Sequence, residues 1–183
     1  MEKATGLDIK KTVHQAFFIA LIIMGAYMSI RLPLSPVPIV LADFFIMLAG
    51  LFLGLKHGLL VVLIYLMLGI IGFPVFSNGG AGLGFFLGPT GGFLIGYLLL
   101  VIIIGALNQK ETFRPMNFIF AMLLGNVLLF TTGIIWLKIS LDLTWHGAFV
   151  GGLLPFLPGT AIKIIAAVPI GKLFWHRFKE THY

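Results

Sequence analysis

The chain has 183 residues, of which 60% are hydrophobic and 10% charged, with a net charge of +6 and a mean hydropathy of +1.10. A water-soluble domain is nearer half apolar and a quarter charged, so the composition excludes a globule clothed in water and requires lipid as the solvent. The lack of cysteine excludes disulfides, thiol chemistry and thiolate metal sites, and basic residues scattered singly among apolar runs suit anionic lipid headgroups rather than a nucleic-acid groove.

The opening MEKATGLDIKKTVHQ is polar and mixed in charge, and the apolar run after it has no small-residue cleavage site. It is expected to lead into a retained first helix. About 20 mainly apolar residues cross ~30 Å of hydrocarbon, and on that rule the sequence predicts six spans. They are Val13–Ile30, Val37–Gly54, Gly58–Phe73, Gly91–Leu107, Met116–Leu137 and Gly147–Phe174. The last is broken at Pro155-Phe156-Leu157-Pro158-Gly159, so its main helix is expected to start near Thr160. The expected fold is all-α, one integral membrane bundle of six transmembrane helices over residues 1–183, with an outer loop over residues 74–90.

Lysine and arginine orient the bundle. With the N-terminus inside, Lys3, Lys10, Lys11, Lys56, Lys110, Arg114, Lys172, Arg177 and Lys179 fall in cytoplasmic segments and only Arg31 and Lys138 outside. Both termini are therefore expected in the cytoplasm, in a multi-pass protein of the prokaryotic plasma membrane.

The stretch FSNGGAGLGFFLGPTGGFLIGY, Phe76 to Tyr97, carries eight glycines in twenty-two residues and no charge. A phosphate cradle is excluded, since neither G-x-x-x-x-G-K-[ST] nor G-x-G-x-x-G occurs in it. Two uses stay open. Gly92-x-x-x-Gly96, like Gly50-x-x-x-Gly54 and Gly54-x-x-x-Gly58, has the spacing that lets membrane helices approach closely. Alternatively the loop, with Phe73, Phe76, Phe85 and Phe86, folds over an outward cavity as a lid. Main-chain groups near Gly79 and Gly80, the Asn78 amide and Thr90 would then face a small polar ligand.

Charges inside spans cost roughly 2.5–3.5 kcal/mol on insertion scales, so each needs a reason. Asp43 could pair with Lys163 or Arg31, accept hydrogen bonds from a ligand, or be protonated; pairing is the default. Lys163, expected one turn into the final helix and next to a Thr160 cap, is a candidate seat for a carboxylate or ring carbonyl. The alternative for it is a structural lysine snorkelling to the outer interface. Arg31 is expected to anchor at the interface. Trp136, Trp145, Trp175, Tyr65 and Tyr97 are candidate belt aromatics, Tyr97 alternatively closing the pocket. His57, His146 and His176 show no metal-ligand spacing. No catalytic constellation is visible, so the chain by itself is expected to be neither an enzyme nor a holder of metal or covalent cofactor.

GFPVF at Gly72–Phe76, GPTGGFLIGY at Gly88–Tyr97, PFLPG followed by Thr160 and Lys163, LSPVPI before the second span and LAGLFLG at its end resemble the BioY family. These are substrate-binding S components of energy-coupling factor (ECF) vitamin transporters. The resemblance runs from about Ala16 to Lys172. It implies a six-helix bundle binding a vitamin, most often biotin, from outside. It also implies docking to a membrane T component and two cytoplasmic ATPases, with Ala16 and Ala20 on the first helix as the docking pair. The implied ligand contacts gather Phe76, Asn78, Gly79, Gly80, Thr90, Tyr97, Asp43, Thr160 and Lys163.

Three positions depart from the family pattern. Thr160 stands where P-G-D-x-x-K has its aspartate, and Val40 and Ala42 stand where threonine and glutamine are usual. Such polar groups would satisfy the ureido ring of biotin, and each one left unmatched in a dry site costs roughly 1–3 kcal/mol. Either Asn78, Asp43 and loop backbone compensate, or the ligand is lipoate-like, with an apolar ring and a carboxylated tail.

Overall fold

A computed structural model describes residues 2–33, 35–108 and 112–179, with side chains from residue 9 to residue 178 of these ranges. Lys110 and the side chains of Lys3 and Lys179, used above for orientation, lie outside the described residues. The first helix, α1, runs Glu2–Tyr27, three residues short of the expected end. Ser29–Ile30 (β1) instead pairs antiparallel with Ile39–Val40 (β2), Ser29 opposite Val40. Pro33, Pro36 and Pro38 explain the change, because each biases the residue before it towards extended backbone. Residues 37–40, expected in the second span, are accordingly non-helical, a bend at Val37 and strand at Ile39–Val40, and deliver the chain to α2.

Helix α2 covers Ala42–Ile70, with non-helical backbone at Gly54 (φ 70°, ψ −172°). Eight residues along a straight helix separate two positions by about 12 Å. Yet a Cβ built on Gly58 would stand 3.2 Å from the Ala49 carbonyl oxygen and 3.4 Å from Gly50 Cα. The chain therefore doubles back at Gly54, a turn that needs the left-handed conformation glycine adopts without strain. The second and third predicted spans are its two arms.

The connection that follows holds a 3₁₀ turn at Ser77–Gly79 and a short helix, α3, at Gly82–Leu87, so the expected irregular loop is partly helical. Helix α4, Gly91–Leu107, packs between α2 and α5, Pro115–Ser140. On one side Val101 and Ile104 meet Gly50 and Gly58; on the other a Cβ at Gly96 would fall 2.8 Å from Thr132 Oγ1 and 2.9 Å from Leu129 Cα. Gly92 is covered the same way by Trp136. The small-residue spacing is thus used for helix contact.

Helix α6, Trp145–Gly152, is capped by Thr144, whose hydroxyl accepts from the Gly147 N–H at 3.1 Å. Helix α7 runs Phe156–Lys179, starting one turn earlier than expected. Pro158 is its third residue, where the backbone N–H has no intrahelical acceptor in any case, so the proline does not break it.

Four helices, Ile9–Tyr27, Ala42–Ile70, Pro115–Ser140 and Phe156–Phe178, are long and apolar enough to cross a membrane, and Gly91–Leu107 is a shorter apolar one. Met116, Ile139, Ile165 and Leu173 are 71–75% exposed; a surface this apolar is stable only in hydrocarbon. Tyr65, Tyr97 and Trp175 are buried rather than forming a belt, Trp136 is half-buried, and Trp145 is exposed with the Lys138 ammonium 5.3 Å from its ring centroid. Among the described residues the buried polar side chains are Asp43, Asn126, Thr160 and Lys163.

Candidate functional site

Two of those four groups meet. Asp43 lies in the first turn of α2, where the helix N-terminus favours a carboxylate. Lys163 reaches it from two turns into α7. Its Nζ donates to Asp43 Oδ1 at 2.7 Å, to Asp43 Oδ2 at 2.9 Å and to the Val40 carbonyl at 2.7 Å. The last acceptor exists because β2 is edge backbone rather than helix. Both side chains are about nine-tenths buried. A charge pair so removed from water persists only where hydrogen bonds support it; the two oxygens of one carboxylate take one side of the ammonium and the Val40 carbonyl another.

Beside the pair lies a void of about 30 Å³ lined by Val37, Pro38, Val40, Phe93, Tyr97, Leu129, Phe130 and Phe156. A second void of about 30 Å³ adjoins it, sharing Val37, Pro38, Val40, Phe93 and Tyr97 and adding Tyr65, Phe85 and Thr90. Pro38, Ser77, Phe85 and Thr90 in turn also line an outer cleft of about 600 Å³ together with Arg31, Asn78, Gly79, Gly80 and Gly88. These shared walls set the three spaces in a row from the surface to the ion pair, a route interrupted by the walls themselves. Its inner part has room for single waters, so a larger ligand needs the aromatic walls to part. Neither the Tyr65 nor the Tyr97 phenol has a hydrogen-bond partner among the described residues, though both are buried and line this route.

Not every predicted site residue lies on the route. Phe76 is fully buried; it stacks on Phe85 (5.3 Å, 20°), meets Tyr65 edge-on (5.6 Å, 82°) and fills the space that a side chain at Gly69 would need. It anchors the 74–90 connection and lines none of the three spaces. Gly79 and Gly80 do line the cleft, but their N–H groups are committed to the Phe76 and Ser77 carbonyls, both at 3.1 Å, while Phe76 N–H donates to Gly80 O at 3.0 Å. The expected free main chain is closed on itself at these glycines. Thr160 is buried inside α7, one turn before Lys163; it neither caps the helix nor lines any of the spaces. Ala16 and Ala20 are exposed on α1, on one stripe with Val13, Phe17 and Met24.

Other contributors were not anticipated. Tyr27 donates its phenol proton to the Pro74 carbonyl, and Ser29 Oγ donates to Asn78 Oδ1 at 3.0 Å, so the end of α1 and β1 hold the 74–90 connection. Asn78 takes left-handed backbone (φ 56°) at that point, a conformation asparagine tolerates well. Trp136 Nε1 donates to Gly88 O at 2.9 Å and fixes the corner before Thr90 to α5. Phe93, Phe130 and Phe156 come from three helices, and no spacing in the sequence marks them as neighbours.

The BioY family profile matches residues 1–180. The biotin transporter BioY of Rhizobium etli is 35% identical over 175 residues, covering 91% of this chain and 93% of that one. The probable biotin transporter BioY of Pyrococcus horikoshii is 36% identical, covering 91% and 96%. The chain belongs to the BioY family. A crystal structure of the S component for biotin from an ECF-type ABC transporter superposes with a TM-score of 0.85 at 32% identity, covering 92% of each chain. BioY proteins are membrane transport components rather than enzymes, in keeping with a multi-pass protein of the prokaryotic membrane.

The departures from the family pattern now have a physical setting. Position 40 contributes its main-chain carbonyl rather than a side chain, and Ala42 is fully buried at the start of α2. The acid absent from position 160 has a counterpart in Asp43, which approaches the same lysine from the facing helix.

Proposed function

We propose that this chain is the substrate-binding S component of an ECF-type importer and that its substrate is biotin. The observation that carries the reading is the Asp43–Lys163 pair at the closed end of an aromatic route leading in from a surface cleft. Phe93, Phe130, Phe156 and Tyr97 suit an apolar bicycle. Beside them Asp43 offers carboxylate lone pairs to ring N–H groups, and the unpartnered phenols supply further polar contacts. An acceptor for N–H groups has no use with a dithiolane, so Asp43 favours biotin over lipoate. Asn78 and Thr90, at the cleft, complete the ligand-facing set.

In this reading the bundle crosses the membrane six times with both termini in the cytoplasm. The fold-back at Gly54 supports two antiparallel arms in α2, and the excess of basic residues on one side supports the orientation. The exposed face of α1 that carries Ala16 and Ala20 is the surface offered to a T component, which together with two ATPases would supply the energy.

The test is titration of the purified protein in detergent with biotin and, separately, with lipoate, followed by calorimetry. Saturable one-to-one binding of biotin with no response to lipoate is expected; the reverse selectivity, or no heat with either, overturns the reading. For the docking face, Ala16→Trp should leave biotin binding unchanged and abolish uptake by cells producing the whole transporter. Undiminished uptake would remove α1 from the interface.

A further inference from the structure

The short helix α3, Gly82–Leu87, has two of its sides accounted for. Phe85 stacks on Phe76, which in turn covers Gly69 near the C-terminal end of α2. Gly84 and Phe85 line the outer cleft. Leu83 and Leu87, four residues apart and so on one side of the helix, are 55% and 56% exposed and line none of the three spaces. Neither the core nor the substrate route uses them.

Nothing local would hold such a helix in water. Helices shorter than about 12 residues are marginal there, and no side chain caps the N-terminus of α3. The sequence has no Asp, Glu, Lys or Arg from residue 57 to residue 109, and Ser77, Asn78 and Thr90 are the polar side chains of residues 74–90. The end of α2 against which α3 packs is itself apolar on the outside. Leu63, Met67, Ile71 and Phe73 are exposed along it, and a surface of that kind belongs in hydrocarbon. Leu83 and Leu87 extend it at the rim of the bundle.

We infer that α3 is an interfacial helix whose partner is the lipid bilayer. It lies along the membrane surface beside the mouth of the cleft, Phe85 holding it to the bundle and Leu83 and Leu87 sunk into the boundary between headgroups and acyl chains, where such helices immerse by about 5–10 Å. With no basic residue on α3, the attraction comes from apolar burial and is indifferent to lipid charge. Moving α3 off the mouth requires drawing two leucines out of lipid. The bilayer is thus a third hold on the 74–90 connection, beside the Phe76 stack and the hydrogen bonds from Tyr27 and Ser29. The inference rests on the six-span reading, in which residues 74–90 join two crossings at one membrane face.

The chain has no cysteine, so Leu83→Cys, Gly84→Cys and Leu87→Cys can each carry one nitroxide label on the full-length protein. In nanodiscs of phosphatidylethanolamine and phosphatidylglycerol, collision with oxygen reports lipid and collision with a nickel chelate reports water. Leu63→Cys serves as the lipid reference and Lys56→Cys as the water reference. Labels at 83 and 87 should favour oxygen as the one at 63 does, and the label at 84, on the cleft side, should favour the chelate. Exchanging phosphatidylglycerol for phosphatidylcholine should change none of these. In the same nanodiscs, Leu83→Ser combined with Leu87→Ser should be cut by protease between residues 77 and 87 about tenfold faster than wild type or more, the factor that two half-immersed leucines supply. Cutting confined to that segment reports that the rest of the variant is folded.

Preference for the chelate at 83 and 87 overturns the inference, since the leucines then stand in water. Weak collision with both reagents overturns it too, because protein would then cover them. So do an oxygen preference at 84 equal to that at its neighbours, which leaves no immersed face, and unchanged proteolysis of the double variant. If the label at 63 also favours the chelate, the second arm of α2 is not in lipid, and the six-span reading itself fails.

Discussion

At the deep end of the route Asp43 and Lys163 come together from helices 120 residues apart in the chain, whereas at the mouth the polar groups of Phe76, Ser77, Gly79 and Gly80 close on one another within five residues. The first arrangement exists only when α2 and α7 are packed. The second is a local turn, pinned to the body by an aromatic wedge at Phe76 and by hydrogen bonds from Tyr27 and Ser29. A buried pair cannot be displaced in part, because a half-broken one strands a charge in a dry site. A lid that satisfies its own N–H groups can swing on a few contacts while keeping its shape. On the proposed function, recognition chemistry sits at the rigid end and access at the adjustable one.

The contrast can be broken most severely at the pair. Lys163→Met should strand the Asp43 carboxylate, lower stability by about 3–5 kcal/mol, depress the thermal midpoint in detergent and abolish biotin binding. Adding Asp43→Leu should return most of the lost midpoint and none of the binding. Binding regained by that double variant would remove the pair from the site.

A smaller effect is expected from Phe76→Ala. It empties the space over Gly69 and unstacks Phe85, so protease should cut between residues 77 and 87 sooner and biotin should leave about tenfold faster or more. The thermal midpoint should fall less than in Lys163→Met; an equal fall would mean that the lid is part of the core. Ser29→Ala should have the least effect. Losing one exposed hydrogen bond to Asn78 amounts to about 0.5–1.5 kcal/mol, read as less than about tenfold faster release at an unchanged midpoint. If Ser29→Ala released biotin as fast as Phe76→Ala, the hydroxyl latch rather than the aromatic wedge would hold the lid.

Much of this was legible beforehand for a specific reason. A charge in a hydrocarbon span is expensive enough that Asp43 and Lys163 stood out as soon as the spans were drawn, and pairing was the least costly outcome for both. The glycine spacing at 92 and 96 likewise pointed to a close helix crossing. Helix ends were harder, because with both faces apolar no period marks where a helix stops. Residues 37–40 therefore read as helix although Pro36 and Pro38 keep them out of one, and Thr160 read as a cap although α7 begins at Phe156. At the lid, glycine content revealed a permissive backbone but not where its hydrogen bonds go. Those depend on the turn closing at Gly80, which left Gly79 and Gly80 without free N–H groups and turned Phe76 inwards.

By itself the sequence determined the solvent, carried the family resemblance and marked the buried charges that needed partners, since transfer free energies act on composition and short windows and do not need coordinates. Only the packed chain decided that the lysine is held by one carboxylate and one strand carbonyl, that phenylalanines from α4, α5 and α7 share a wall, and that Arg31 lines the outer cleft with no acid partner among the described residues. Hydrogen bonds and van der Waals contacts fall off within a few ångströms, so which groups exchange them is set by how the helices cross, and that is not written in any local stretch of residues.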